Sequence, residues 1–208
     1  MASIFTPYYI YTVSRKVQKE MKRYFLLIIT TLMMFSANTA RAQMLAVNTD
    51  VAMDACLAPS LGVELTMSKK SSLNFNALYG RKILGKDMMI LAIQPEWRVY
   101  LSGRPMYHHY VGAIGLLTRY DMELGSKLYK GDAFGIGVSF GYVLPITDRL
   151  MADFHASVGD VFYRQKEYPK TDNYDAHYTN SEGYATINAT GQFIMPLRLG
   201  VSIAYILK

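Results

Sequence analysis

The chain has 208 residues, of which 51% are apolar and 18% are charged. This composition is too apolar for a disordered chain and too poor in charge for a coiled coil, so it predicts one folded domain. The formal net charge is +6, but residues 1–42 hold six of the 22 basic residues and only one of the 16 acidic residues. The rest of the chain is nearly neutral, which argues against a nucleic-acid partner.

Residues 21–42 have the pattern of a secretory signal peptide. A basic pair is followed by an apolar run over residues 24–35 (YFLLIITTLMMF) and by an A-x-A cleavage site at Ala40 and Ala42. The run is shorter than the roughly 20 residues that a membrane-spanning helix needs. We therefore expect export by the Sec route and a mature chain that begins at Gln43.

Residues 1–20 precede a complete signal that has its own methionine, Met21. They show no clear periodicity, so we interpret them as a spurious extension of the reading frame. The alternative is an unusually long basic region of the signal. Mass spectrometry of the precursor decides between the two.

The mature chain alternates apolar and polar residues with a period of two, which predicts β-strands. In residues 134–144, for example, bulky apolar residues alternate with glycine and serine over most of the segment. Eight segments have this pattern: residues 45–53, 61–67, 73–79, 91–101, 107–118, 134–144, 150–158 and 197–207.

The connections between these segments are of two kinds. Those after the second, fourth and sixth strands are short, whereas those after the third, fifth and seventh are longer and polar, the longest spanning about residues 164–185. Short turns at one end and long loops at the other are typical of an outer-membrane barrel with its turns in the periplasm. An even number of strands places both termini on the periplasmic side.

Three features favour an apolar row that faces lipid. The longer strands match the roughly 9–11 residues needed to cross a bilayer. The apolar row carries no charge along strands 1–4 and 6–8, and Tyr and Trp lie near strand ends. Residues 43–208 thus predict an all-β, eight-stranded antiparallel up-and-down transmembrane β-barrel. The alternative is a soluble secreted barrel that carries an apolar ligand.

The polar row predicts a network inside the barrel. An eight-stranded barrel is only wide enough for side chains, so opposite charges there are expected to pair and fill the interior. This structural network is expected to contain Asp50, Asp54, Glu64, Gln94, Glu96, Arg98, Asp153, His155 and Arg198.

One group on the seventh strand has the residue types of a hydrolase. Asp153, His155 and Ser157 share one face, but neighbours two residues apart on a strand lie about 7 Å apart, too far for a triad. We expect no catalysis and keep an outer-membrane lipid-modifying hydrolase or acyltransferase as the alternative. Without a CxxC, P-loop or HExxH motif, we expect no metal or cofactor.

Five blocks of the mature chain resemble a known family: residues 45–49 (LAVNT), 59–64 (PSLGVE), 94–98 (QPEWR), 137–142 (GVSFGY) and 199–208 (LGVSIAYILK). They resemble the family with domain of unknown function number 3575, which consists of small exported proteins of Bacteroides-type bacteria regarded as outer-membrane barrels. The resemblance implies a location in the outer membrane of a Gram-negative bacterium and the barrel fold, and it supplies no catalytic residue.

The expected function is therefore a structural or surface-binding role through the extracellular loops. Tyr168, Tyr174 and Tyr178 are candidate contacts to a glycan or protein. They lie in the longest connection, about residues 164–185, which we call the Tyr-rich loop. The expected partners are outer-membrane lipid and lipopolysaccharide, with periplasmic chaperones and the barrel-assembly machinery during biogenesis. We expect a monomer.

Overall fold

The computed structural model describes residues 44–83, 85–169 and 187–207. The signal peptide and the segment before it lie outside these residues. The elements are β1 (Leu45–Asp50), α1 (Val51–Ala55), β2 (Ser60–Thr66), β3 (Ser71–Ile83), β4 (Lys86–Tyr100), β5 (His108–Leu124), β6 (Lys127–Pro145), β7 (Leu150–Pro169) and β8 (Ala189–Ile206). No helix in the described part is long and apolar enough to cross a membrane.

The eight strands form a closed barrel. Each strand pairs antiparallel with the next, and β8 pairs with β1 to complete the ring. Leu207 donates its N–H to the carbonyl of Leu45, so the first and last strands meet near their outer ends. The predicted eight-stranded antiparallel up-and-down barrel is confirmed.

The two ends of the barrel differ in their connections. At one end of the barrel the chain turns at residues 67–70, 101–107 and 146–149. β1 begins and β8 ends at this same end, which we call the turn end. At the opposite end, the loop end, the β3–β4 and β5–β6 connections are only two residues each. Gly85 and Gly125 adopt positive φ there, of 77° and 62°, as tight hairpins require.

The prediction of longer polar connections after the third and fifth strands is therefore wrong. The polar segments between the apolar runs are continuations of the strands, so that β5 has 17 residues and β6 has 19. A polar strand end and a polar loop have similar composition, and the sequence pattern does not separate them.

The first strand is shorter than predicted because Asp50 ends it. Asp50 Oδ1 accepts hydrogen bonds from the backbone N–H groups of Ala52 and Met53, at 3.1 and 3.3 Å. This is the geometry of an N-cap, which starts the short helix α1. The alternation of Val51 and Met53 with small residues imitated a strand.

Because β1 and β2 are short, the barrel wall does not extend as far towards the loop end at these two strands as it does elsewhere. β1 and β2 have six and seven residues, whereas β3 to β8 have 13 to 20. Among the described residues, β8 has no strand partner on this side beyond Ser202, and β3 has none beyond Leu78. We call this gap, between residues 79–83 of β3 and residues 189–201 of β8, the notch.

Exposed apolar side chains encircle the outside of the barrel. This apolar band includes Leu61, Phe75, Ile93, Trp97, Val111, Leu117, Phe134, Ile136, Val138, Phe140, Phe154 and Leu199. Towards the loop end, outward positions become charged. There Arg119 donates to Asp132 at 2.7 Å across β5 and β6 on the outer surface.

A carboxylate interrupts the apolar band. Asp160 occupies an outward position of β7, opposite Ile136 of β6 and Ile194 of β8. The prediction that this row carries no charge is wrong here, because it ended the strand at Val158 whereas β7 continues to Pro169.

A β-bulge changes the register of β8. Ser157 pairs with Arg198, but Val158 pairs with Pro196, so Leu197 is the extra residue. Proline lacks an N–H for the ladder, and a bulge accommodates it. Leu197, which the alternation predicts to face outwards, is consequently buried inside the barrel.

The interior has three layers. An apolar cluster fills the turn end and consists of Ala46, Tyr100, Met106, Tyr110, Val143, Met151, Ala204 and Ile206. Buried polar and charged side chains form the middle layer. A second apolar cluster lies towards the loop end and consists of Leu78, Ala92, Ile114, Leu116, Val161 and Leu197.

Candidate functional site

Arg98 is the centre of the middle layer. Its Nη1 donates to Glu64 Oε2 at 3.1 Å and to Asp153 Oδ2 at 2.9 Å, and its Nη2 donates to Glu96 Oε2 at 2.8 Å. The guanidinium carbon lies 4.4 Å from the centre of the Tyr110 ring. All these side chains are buried. One guanidinium group therefore connects β2, β4 and β7 across the interior.

His155 and Arg198 extend the network to the first strand. His155 Nε2 lies 2.9 Å from Asp50 Oδ2, and its Nδ1 lies 3.2 Å from the carbonyl oxygen of Asp153. Arg198 Nε lies 3.6 Å from Asp50 Oδ2, and Arg198 Nη1 lies 3.5 Å from Glu96 Oε2. The network thus joins acidic and basic side chains from five strands.

The structure brings together seven of the nine side chains predicted for the interior network: Asp50, Glu64, Glu96, Arg98, Asp153, His155 and Arg198. Gln94 is buried at the loop side of the network, where its Nε2 donates to the carbonyl of Leu197 at 2.9 Å. That carbonyl belongs to the bulge, so Gln94 forms a hydrogen bond with the backbone of β8 and does not take part in the ion pairs.

Asp54 does not belong to the network, and the prediction for it is wrong. It lies in α1, where its carboxylate accepts from Thr49 Oγ1 at 2.6 Å and from the N–H of Ser60 at 2.9 Å. Because β1 ends before this residue, the alternation no longer points it inwards. Asp54 instead fixes the connection between β1 and β2.

Two tyrosines are further members of the network. Tyr100 donates to Glu64 Oε1 at 2.6 Å, and Tyr110 donates to Asp153 Oδ1 at 3.2 Å. The position of Tyr100 near a strand end suggested an interfacial residue. Tyr100 is two residues after Arg98, however, and this parity places it on the inner face.

The Asp153, His155 and Ser157 group lacks the contacts of a catalytic triad. Ser157 Oγ donates to the carbonyl of Arg198 at 3.1 Å, while both nitrogens of His155 contact Asp50 and the Asp153 backbone. The hydroxyl is thus directed away from the base that would activate it. In the described part of the chain, no group of three or more His, Cys, Asp or Glu could hold a metal ion.

The candidate contact residues of the Tyr-rich loop are only partly described. Tyr168 lies on β7, paired with Leu128 of β6, so the prediction that a loop begins near residue 164 is wrong. Tyr174 and Tyr178 lie outside the described residues.

A cavity of about 630 Å³ lies in the loop half of the interior. None of the described residues that line it is charged, and most are aliphatic or aromatic. Two of its few polar side chains already have partners, since Gln94 donates to Leu197 and Gln165 Oε1 accepts from Tyr120 at 2.8 Å. The cavity is therefore apolar and lies next to the charged middle layer.

The sequence pattern predicted a polar interior throughout and missed this cavity. A signal was present in β5, where Ile114 and Leu116 are inward while Val111 and Leu117 are outward. Apolar residues on both faces of a strand indicate that its inner face also meets apolar surroundings.

The sequence matches the family described as "Protein of unknown function (DUF3575)" over residues 8–207. Among solved structures, the fold is similar to the crystal structure of Neisserial surface protein A (NspA), with 13% sequence identity and a TM-score of 0.36, over 78% of this chain and 94% of that chain. No curated protein matches the sequence. Because the family match spans nearly the whole chain, the protein belongs to the family of unknown function DUF3575.

Proposed function

We propose that this protein is an outer-membrane β-barrel with a non-catalytic binding role at its loop end. The observation that carries the proposal is the combination of an apolar exterior with an interior that is packed at the turn end and holds an apolar cavity at the loop end. The turn end is placed in the periplasm and the loop end outside the cell.

The exterior supports a membrane location over a soluble barrel. Aromatic side chains such as Trp97, Phe140 and Phe154 are about half exposed on the outer face, while Arg98, Glu96 and other charged groups are buried. Soluble proteins rarely expose apolar patches beyond a few hundred Å². A polar interior inside an apolar band is the arrangement of transmembrane barrels.

The proposal includes the biogenesis expected from the signal peptide. The chain is exported by the Sec route, cut before Gln43, guided by periplasmic chaperones and inserted by the barrel-assembly machinery. It functions as a monomer surrounded by outer-membrane lipid and lipopolysaccharide. The aromatic composition of residues 164–185 also supports a contact to a glycan or protein through Tyr168, Tyr174 and Tyr178.

Membrane fractionation tests the proposal. The protein is expected to remain in the outer-membrane pellet after carbonate and high-salt washes and to need detergent for release. Protease added to whole cells is expected to cut within residues 164–185 and to leave the turns at residues 67–70 and 146–149 intact. Release by carbonate would support the soluble barrel instead.

A further inference from the structure

We propose that the cavity binds an acyl chain of a phosphate-bearing membrane lipid, which enters sideways from the bilayer through the notch. This inference rests on the proposed location in the outer membrane. It assigns a ligand class and an entry route to the cavity.

The lining of the cavity selects for an uncharged, apolar ligand. Its volume of about 630 Å³ falls within the roughly 300–1,000 Å³ of small-molecule sites. A charged group inside would be desolvated with no charged partner on the described walls. Three of the lining residues are methionines, Met53, Met122 and Met195, whose flexible side chains adapt to chains of different shape.

At the notch, a residue that lines the cavity is also exposed on the outside of the barrel, and the β1–β2 connection packs against Gly80 of β3 and Gly200 of β8. Phe193 lines the cavity and is also 46% exposed, and the adjacent Ile194 is 77% exposed. Below the gap, the β1–β2 connection exposes the side chains of Val51 and Leu57, while Met53 of the same segment lines the cavity. Apolar side chains of β8 and of the β1–β2 connection therefore extend from the outer surface to the wall of the cavity.

The notch opens at the level of the apolar band. Ile194 is opposite Asp160 of β7, which is opposite Ile136, a member of the band. In the proposed orientation this opening faces the acyl chains of the outer leaflet, so a chain can enter without crossing water.

Basic side chains border the loop end of the notch. Arg81 and Lys82 lie on the part of β3 that has no partner on the notch side, and both are exposed, with Lys82 Nζ 3.9 Å from Asp87 Oδ1 of β4. Their charges suit a phosphate headgroup that stays outside while its chain occupies the cavity. This charge at the rim points to a phosphate-bearing lipid, which is either a phospholipid or lipid A.

Photo-crosslinking tests the inference. The full barrel, purified from membranes, is reconstituted in phosphatidylethanolamine vesicles that contain a phospholipid with a diazirine near the end of one acyl chain. After illumination, adducts are mapped by peptide mass spectrometry. We expect adducts on the inward residues Leu116, Val161 and Met195 as well as on outward residues such as Leu117 and Ile136.

Two matched variants control for the cavity. Ala133→Trp places an indole inside the cavity and is expected to reduce the inward adducts severalfold, because the ring occupies part of the space that the chain would fill. Ala113→Trp adds the same side chain on the outward face of β5 and is expected to leave the inward adducts unchanged. Heat-modifiable migration on gels verifies that both variants fold.

The wild-type map alone can overturn the inference. Adducts confined to outward residues would show that lipid surrounds the barrel without entering it, which leaves the proposed location intact. Inward adducts obtained only with a diazirine fatty acid supplied from water would overturn the lateral route. Absence of outward adducts together with release by carbonate would instead overturn the proposed location. A parallel arm with diazirine-labelled lipid A identifies which lipid supplies the chain.

Discussion

Arg98 shows how a single side chain organises the interior. Its guanidinium group neutralises carboxylates from three strands in a layer from which water is nearly excluded. Such buried pairs contribute little net stability compared with apolar packing, but the loss of one partner leaves uncompensated charge. The network therefore contributes to the fold mainly because removing one of its members leaves a buried charge without a partner.

Replacement of Arg98 by methionine is expected to destabilise the barrel strongly. Glu64, Glu96 and Asp153 would lose their shared cation, at a cost of about 3–5 kcal/mol. The measurement is urea unfolding in detergent micelles, followed by heat-modifiable migration. Arg119→Met is the matched control, because Arg119 also pairs with a carboxylate but is 68% exposed, and its loss should change the free energy of unfolding little. Equal losses in both variants would contradict a network role for Arg98.

Asp160 is a residue whose removal is expected to stabilise the protein. Charged side chains on the lipid face cost up to ~2–4 kcal/mol for basic residues and less for acidic ones. Asp160→Asn should therefore raise the free energy of unfolding in phospholipid vesicles by about 1 kcal/mol. Asp132→Asn, which removes an outward carboxylate paired with Arg119 outside the band, should not. A decrease for Asp160→Asn would indicate that the carboxylate has a partner or a function.

At the scale of the element, the bulge in β8 determines which residues face the cavity. It turns Leu197 inwards and leaves its carbonyl outside the ladder, where the Gln94 side chain supplies the missing donor. The β7–β8 pairing at the bulge is thus supported by one amide from β4, on the other side of the interior.

Gln94→Leu is expected to lower the free energy of unfolding by about 1–3 kcal/mol, the cost of an unsatisfied buried acceptor. Gln192→Leu provides the comparison, since Gln192 is exposed on the outer face of the same strand as the bulge. Urea unfolding of both variants measures the difference. No loss in Gln94→Leu would show that another donor reaches the Leu197 carbonyl.

The period of two was enough to predict the strands and the side chains of the network, because inward and outward positions alternate along each strand. It failed where the backbone leaves that period. Asp50 caps a helix, so Asp54 was misplaced, and the bulge reverses the parity at Leu197. The cavity was not predicted because an apolar residue can face either the exterior or an apolar interior, and the sequence does not show which.

For the whole molecule, the layered interior predicts that the barrel does not conduct ions. Among the described residues, the apolar cluster at the turn end and the buried charged layer next to it fill the interior, so that no open path runs along the barrel axis. In planar lipid bilayers the protein should produce no conductance steps at concentrations where a porin does. Stable open steps would contradict the packed turn end.

The seam between β1 and β8 suggests an order of assembly. Only five residue pairs join the first and last strands, whereas 16 join β7 and β8. This seam also has the greatest separation along the chain, and contacts between distant residues form late because loop closure costs entropy. The six long strands can therefore form a curved sheet before the termini meet, and joining the two ends of the chain is the last event in making the ring.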